Sequence, residues 1–254
     1  MVPRMKRREL LWLAGVSACA GRGVVAPRSA RVRGLCFDLF TLFDPRGVVR
    51  VAREVFGERA VELCDAWRSR QFEYGFLRAA AGQYVNFRKV TADALTFAAR
   101  ARGVEVTFAQ RERLVDAYST LDLWPDARER LAAFKQRGLS LAPLANYSPD
   151  MLERLIDNAG LRESFDTLIS TDAARTFKPD PRAYALGPQR LGLAREEIVF
   201  AAFGGWDAAG ARWFGFPTFW VNRLGVAPEA LEPGPHQSGP DLGALDRFVQ
   251  LTGG

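Results

Sequence analysis

From residue 126 onward the chain alternates short apolar runs with stretches of helical periodicity, and that alternation restricts the fold more than any other feature. Helix 126–137 is followed by strand 139–145 (LSLAPLA) and helix 149–159. Strand 165–170 (FDTLIS) precedes helix 180–191, strand 196–202 precedes helix 206–215, and strand 217–222 precedes a last helix near 241–251. Apolar runs of strand length, joined by amphipathic segments, imply parallel strands with helices packed on both faces.

One further strand stands apart. Residues 32–40 (VRGLCFDLF) read as a buried strand, but about 75 helical residues separate it from the alternating part. Candidate helices are 46–56, 58–80, 86–102 and 107–120, with Gly57, Gly82 and Gly103 near their breaks. A helical block inserted there would sit over the C-terminal ends of the strands, where open α/β sheets bind ligands. The expected architecture is therefore α/β: a Rossmann-like doubly wound parallel sheet core (33–45 and 122–254) with an inserted α-helical cap (46–121).

The segment before residue 33 is of another kind. Residues 5–20 (MKRRELLWLAGVSACA) run from basic through apolar to small, the order of an export signal, and 20–32 read as a tether. Arg7-Arg8 resembles a twin-arginine signal, and Val16-Ser17-Ala18-Cys19 resembles a lipobox. Residues 1–32 are thus expected to direct export, to the periplasm or to a membrane anchored through an acylated Cys19. The alternative is a cytoplasmic protein with a basic tail. The leader also explains the net charge of +6. Eight of the 35 basic residues and one of the 29 acids lie in 1–34, leaving 27 against 28 in the folded body. No nucleic-acid face is expected from so even a balance.

The sole histidine, His236, lies in EPGPHQSGP, which argues against a Ser-His-Asp hydrolase and a histidine-rich metal site. Cys36 and Cys64 are open to two readings, a disulfide or two buried small residues, and the second is preferred.

Three residues fall just beyond strand ends: Asp38 after the first, Lys178 in FKPD after the third, and Asp207 in GGWDAAGA after the fourth. A carboxylate at a buried strand tip is costly unless cations or backbone N–H groups compensate it. Taken singly, each has a bland reading as a cap or a surface charge. Together, in this order, DLFTL, FKPD and GGWDAAGA resemble motifs I, III and IV of the haloacid dehalogenase superfamily, over nearly the whole chain after residue 32. Phosphatases of that superfamily carry a second acid where Phe40 stands and another where Phe203 stands, so neither a metal nor another cofactor is expected.

The segment WRSRQFEYGFLRAAAGQYVNF further resembles the L-2-haloacid dehalogenases, the metal-free branch. That resemblance implies Asp38 as nucleophile, forming an ester with a short 2-haloacid that water then hydrolyses to the 2-hydroxyacid. It implies Lys178 beside Asp38, Asp207 as a further catalytic group, and Arg68 and Asn146 on the halide side. Thr41, Phe72, Phe87, Tyr147, Tyr184 and Trp206 would surround the substrate. Relatives of this kind are often homodimers.

The chain also departs from that pattern. Asp38-Leu39-Phe40-Thr41-Leu42 is one residue shorter than the usual Asp-x-x-Gly-Thr-Leu. Ala145 stands where a hydroxyl is usual before Asn146. Ala202 and Gly204 replace a serine and an asparagine. The second reading is accordingly a catalytically impaired or repurposed protein that keeps the fold, and a phosphatase is the third.

Overall fold

The computed structural model describes residues 31–253, so the expected leader, including Arg7-Arg8 and Cys19, lies outside the described residues. Six parallel strands form one sheet: β1 Gly34–Phe37, β2 Ser140–Ala145, β3 Ile169–Ser170, β4 Ile198–Ala202, β5 Thr218–Val221 and β6 Gln237–Gly239, in the order β3-β2-β1-β4-β5-β6. The order reverses between β1 and β4, which opens a crevice at their C-terminal ends.

Alternate residues along each strand feed two cores. Leu35 and Phe37 face one, with Phe134, Leu152 and Phe248 from helices α5 (Ala127–Gln136), α6 (Pro149–Asn158) and α9 (Leu242–Leu251). Cys36 faces the other, with Tyr184 and Ala208 from α7 (Pro181–Leu191) and α8 (Gly205–Phe214). Cys36 and Cys64 are both buried and free, so the disulfide alternative falls.

Between β1 and α5 lie α1 (Gly47–Phe56), α2 (Ala60–Ala81), α3 (Phe87–Arg100) and α4 (Phe108–Asp116). The ends of this segment meet at a short neck, where Asp44 N–H donates to the Asp122 carbonyl (2.8 Å) and Trp124 N–H to the Leu42 carbonyl (2.9 Å). Gly82 ends α2 in the left-handed region (φ 66°), and Asn86 caps α3 by accepting from Lys89 N–H at 2.9 Å. Two buried bonds join the helices: Trp67 Nε1 donates to the Thr91 carbonyl (2.8 Å) and Gln71 Nε2 to Thr91 Oγ1 (2.7 Å).

Two strands differ from expectation. Only Ile169–Ser170 pairs as a strand within 165–170. Asp166 ties the rest of that run to the start of β2, accepting from Leu141 N–H at 2.7 Å and donating its own N–H to the Leu141 carbonyl at 2.9 Å. β6, Gln-Ser-Gly, was not expected, because an edge strand of polar, largely exposed residues has no apolar alternation. His236 leads into it, donating its N–H to the Thr218 carbonyl and accepting Thr218 N–H at Nδ1, both at 3.0 Å.

Candidate active site

Asp38 leaves the tip of β1 and begins a single turn of 3-10 helix, Leu39–Thr41. That turn absorbs the shortened motif without left-handed backbone. Thr41 N–H donates to the Asp38 carbonyl at 3.1 Å, and Leu42 N–H to the Leu39 carbonyl at 3.0 Å. The turn also holds the carboxylate, since Phe40 N–H donates to Asp38 Oδ1 at 2.9 Å. Thr41 was expected at the substrate. It is instead fully buried, with its hydroxyl given to the Asp38 carbonyl at 2.7 Å, so it fastens the turn and stands outside the crevice.

Lys178 Nζ bridges two carboxylates, donating to Asp38 Oδ2 and to Asp207 Oδ2, each at 2.7 Å. Side-chain exposure separates their roles: 16% for Asp38, against 1% for Lys178 and 1% for Asp207. Only Asp38 is presented to the crevice, and Asp207 acts from behind the lysine. Burial opposes the lysine's charge, but the two facing carboxylates more than offset it and raise its pKa. Burial pushes the Asp207 carboxyl up, against the pull of Lys178, with the Asp38 charge adding to the rise.

Tyr184 also stands behind the crevice. Its buried hydroxyl donates to Asp207 Oδ1 at 2.6 Å, which fixes that carboxylate rather than contacting a ligand. Gly210 permits this approach, because a Cβ there would lie 2.5 Å from the Tyr184 hydroxyl.

The crevice is a pocket of about 50 Å³ lined by Asp38, Phe72, Phe87, Asn146, Tyr147 and Trp206, together with Arg68, Gln71 and Phe203. Helix α2 supplies Arg68, Gln71 and Phe72, whose i, i+3, i+4 spacing puts them on one face. Gln71 escaped the sequence analysis, although that spacing from Arg68 was the available signal. The Arg68 guanidinium lies 5.8 Å from the Phe72 ring centroid and is in no ion pair among the described residues. Asn146 Oδ1 accepts Lys178 N–H at 2.8 Å and the Thr171 hydroxyl at 3.3 Å. A backbone N–H requires the oxygen at that position, so the amide NH₂ is the end left for the crevice.

Rings form the remaining walls. Phe87 stacks on Tyr147 at 5.0 Å, and Phe40 meets Phe203 edge to face at 5.7 Å, where phosphatase-like relatives would place two acids. Trp206 packs edge to face against Phe72 (5.4 Å) and Phe76 (5.6 Å). Its indole fills the space beside Gly204, where an added Cβ would meet Trp206 Nε1 at 2.7 Å.

A strand-tip carboxylate held by an ammonium, beside an exposed guanidinium in a small aromatic pocket, suits nucleophilic attack on a small anionic molecule. Known proteins agree with this geometry. The family model described as haloacid dehalogenase-like hydrolase matches residues 32–215. The chain is 41% identical over 224 residues to an (S)-2-haloacid dehalogenase of Pseudomonas sp. (strain YL), covering 88% of this chain and 97% of that one. It is 35% identical to haloacetate dehalogenase H-2 of Moraxella sp. (strain B), covering 87% and 99%. Among solved structures, the L-2-haloacid dehalogenase of Xanthobacter autotrophicus with chloropropionic acid covalently bound superposes with a TM-score of 0.81 at 34% identity, covering 86% and 98%.

Proposed function

The chain belongs to the haloacid dehalogenase-like hydrolases, and we propose that it is a hydrolytic dehalogenase that converts (S)-2-haloacids to 2-hydroxyacids through an ester on Asp38. The observation that carries this reading is Asp38 itself. It is the one carboxylate of the buried trio that reaches the pocket, and Lys178 and Phe40 N–H hold it in place and aimed.

In the first step an Asp38 carboxylate oxygen attacks the α-carbon, and the carbon–halogen bond breaks on the opposite side. The halide leaves with its electron pair toward Arg68 and the Asn146 amide, where growing charge is met in a pocket walled largely by aromatic rings. A single displacement inverts the α-carbon. The substrate carboxylate lies at the start of α6, near Asn146 and Tyr147, where helix N–H groups favour an anion. Phe40, Phe72 and Phe87 shield the small apolar body.

In the second step water adds to the Asp38 carbonyl carbon and the ester C–O bond breaks. One proton of the water ends on the hydroxyl of the product, and the other passes to solvent as Asp38 returns to carboxylate. Asp207 and Tyr184 act through Lys178 and are positioning residues. The helical block bearing Arg68, Phe72 and Phe87 is read as the cap over this site.

Ala145, Ala202 and Gly204 offer no side-chain hydrogen bond around the ester, so its hydrolysis relies on the remaining groups of the site. The test is halide release from (S)-2-chloropropionate, with Asp38→Asn as control. Halide and lactate are expected in equal amounts from the native protein and none from the variant. Halide release that persists in Asp38→Asn would overturn the assignment.

A further inference from the structure

Beyond the crevice the pocket does not end. A second chamber of about 150 Å³, three times the crevice's roughly 50 Å³, shares its wall of Phe40, Arg68, Gln71, Phe72 and Phe203. Its further surface is mostly apolar, from Val48 and Val49 of α1, Trp67 of α2 and Leu224 after β5. Elsewhere the crevice is walled by aromatic rings. Trp206 lies against Gly204, Phe72 and Phe76, Phe87 is stacked on Tyr147, and the void beyond Phe87 holds only about 20 Å³. The larger space open to a substrate growing from its α-carbon is therefore this chamber.

The chamber's chemistry excludes an anion store. Arg46, on its rim, is ion-paired with Asp44 at 2.6 Å and lies 5.1 Å from the Trp124 ring centroid, so its charge is already met. Asp65, also on the rim, adds a negative charge of its own. Arg68 is the one cation shared with the crevice.

We infer that this chamber is a subsite for the alkyl tail of longer 2-haloacids, so that medium-chain (S)-2-haloalkanoates are preferred to 2-chloropropionate. The inference rests on the dehalogenase reading above and names its substrate class. At about 30 Å³ for each water-sized group, the chamber of about 150 Å³ has room for about five methylenes. Each methylene buried against such walls raises kcat/KM about threefold to fourfold.

The experiment measures kcat/KM for (S)-2-chloropropionate, (S)-2-chlorobutanoate and (S)-2-chlorohexanoate, in the native protein and in Val49→Trp, which fills the chamber from α1. The native protein is expected to favour the hexanoate at least tenfold. Val49→Trp is expected to remove that preference while leaving chloropropionate within twofold. Leu224→Trp, from the loop after β5, is expected to do the same and covers the case in which Val49→Trp fails to fold. A native preference for propionate overturns the subsite while leaving the dehalogenase reading intact. So does an equal loss on both substrates in folded Val49→Trp and Leu224→Trp. No halide from any chain length overturns the reaction itself, and the subsite with it.

Discussion

Replacing Lys178 with methionine would leave Asp207 wholly buried with its one cationic partner gone and Asp38 without its ammonium. Removing one member of a buried charge cluster typically costs about 3–5 kcal/mol, so Lys178→Met is expected to lose about that much in a denaturant titration at pH 7. The deficit shrinks toward pH 5, because protonation relieves Asp207. The same carboxyl sets the acid limb of activity. Its pKa is raised to about 6, mainly by burial, so it takes up a proton as pH falls through that value. Lys178 then donates to Asp38 alone and draws charge from the nucleophile. The ratio kcat/KM is therefore expected to fall below about pH 6, with an apparent pKa belonging to the whole trio. Asp207→Asn is expected to flatten that limb, and an unchanged limb in this variant would assign it elsewhere. At this scale the sequence was most informative about charge. Asp38, Lys178 and Asp207 were legible because each lies in the segment that follows a strand, and parallel strands bring those segments together at one end of the sheet. Thr41 and Tyr184 were placed at the substrate because sequence position does not say which way a side chain turns. One hydroxyl closes the Asp38 turn and the other bonds Asp207.

Helix α2 carries Arg68, Gln71 and Phe72, and its placement depends on where it stops. Gly82 ends it at φ 66°, and a Cβ there would meet nothing within 4 Å, so the cost of Gly82→Ala is backbone strain alone. We expect a loss of about 1 kcal/mol, read as a lower Tm, with kcat unchanged. A drop in kcat would show that the end of α2 is coupled to the chemistry. The helices were legible because their apolar periodicity is long and their breaks carry glycine or a capping residue. β3 was placed but overextended, because Asp166 pairs with Leu141 through one backbone and one side-chain bond and takes no part in a regular ladder. β6 was not foreseen, because it is an exposed, polar edge. Sequence periodicity reports burial, and that segment presents no alternating buried face.

Across the molecule the helical block meets the sheet domain on two sides. One is the neck at Asp44 and Trp124. On the other, the Tyr84 hydroxyl donates to Asp172 Oδ1 at 2.5 Å, and its ring lies 5.2 Å from Phe177, the residue before Lys178. Tyr84→Phe keeps the ring and loses a bond to a charged acceptor. It is expected to cost about 1–2 kcal/mol and to speed hydrogen exchange in the α2–α3 loop, leaving the sheet strands protected. Uniform exchange change would mean that block and sheet open as one. The overall architecture was readable from the order of elements alone, since one early strand followed by a helical insertion and regular alternation fits a doubly wound sheet reversing beside β1. The pocket's shape was not readable, because it depends on how Trp206, Phe40 and Phe203 pack.

The central claim is that Asp38 becomes esterified, and a single turnover in H₂¹⁸O tests it. With enzyme in excess over (S)-2-chloropropionate, ¹⁸O should appear in the peptide bearing Asp38 while the lactate formed carries none from water. Label in the lactate and none at Asp38 would show direct attack by water on the α-carbon, and would contradict the account.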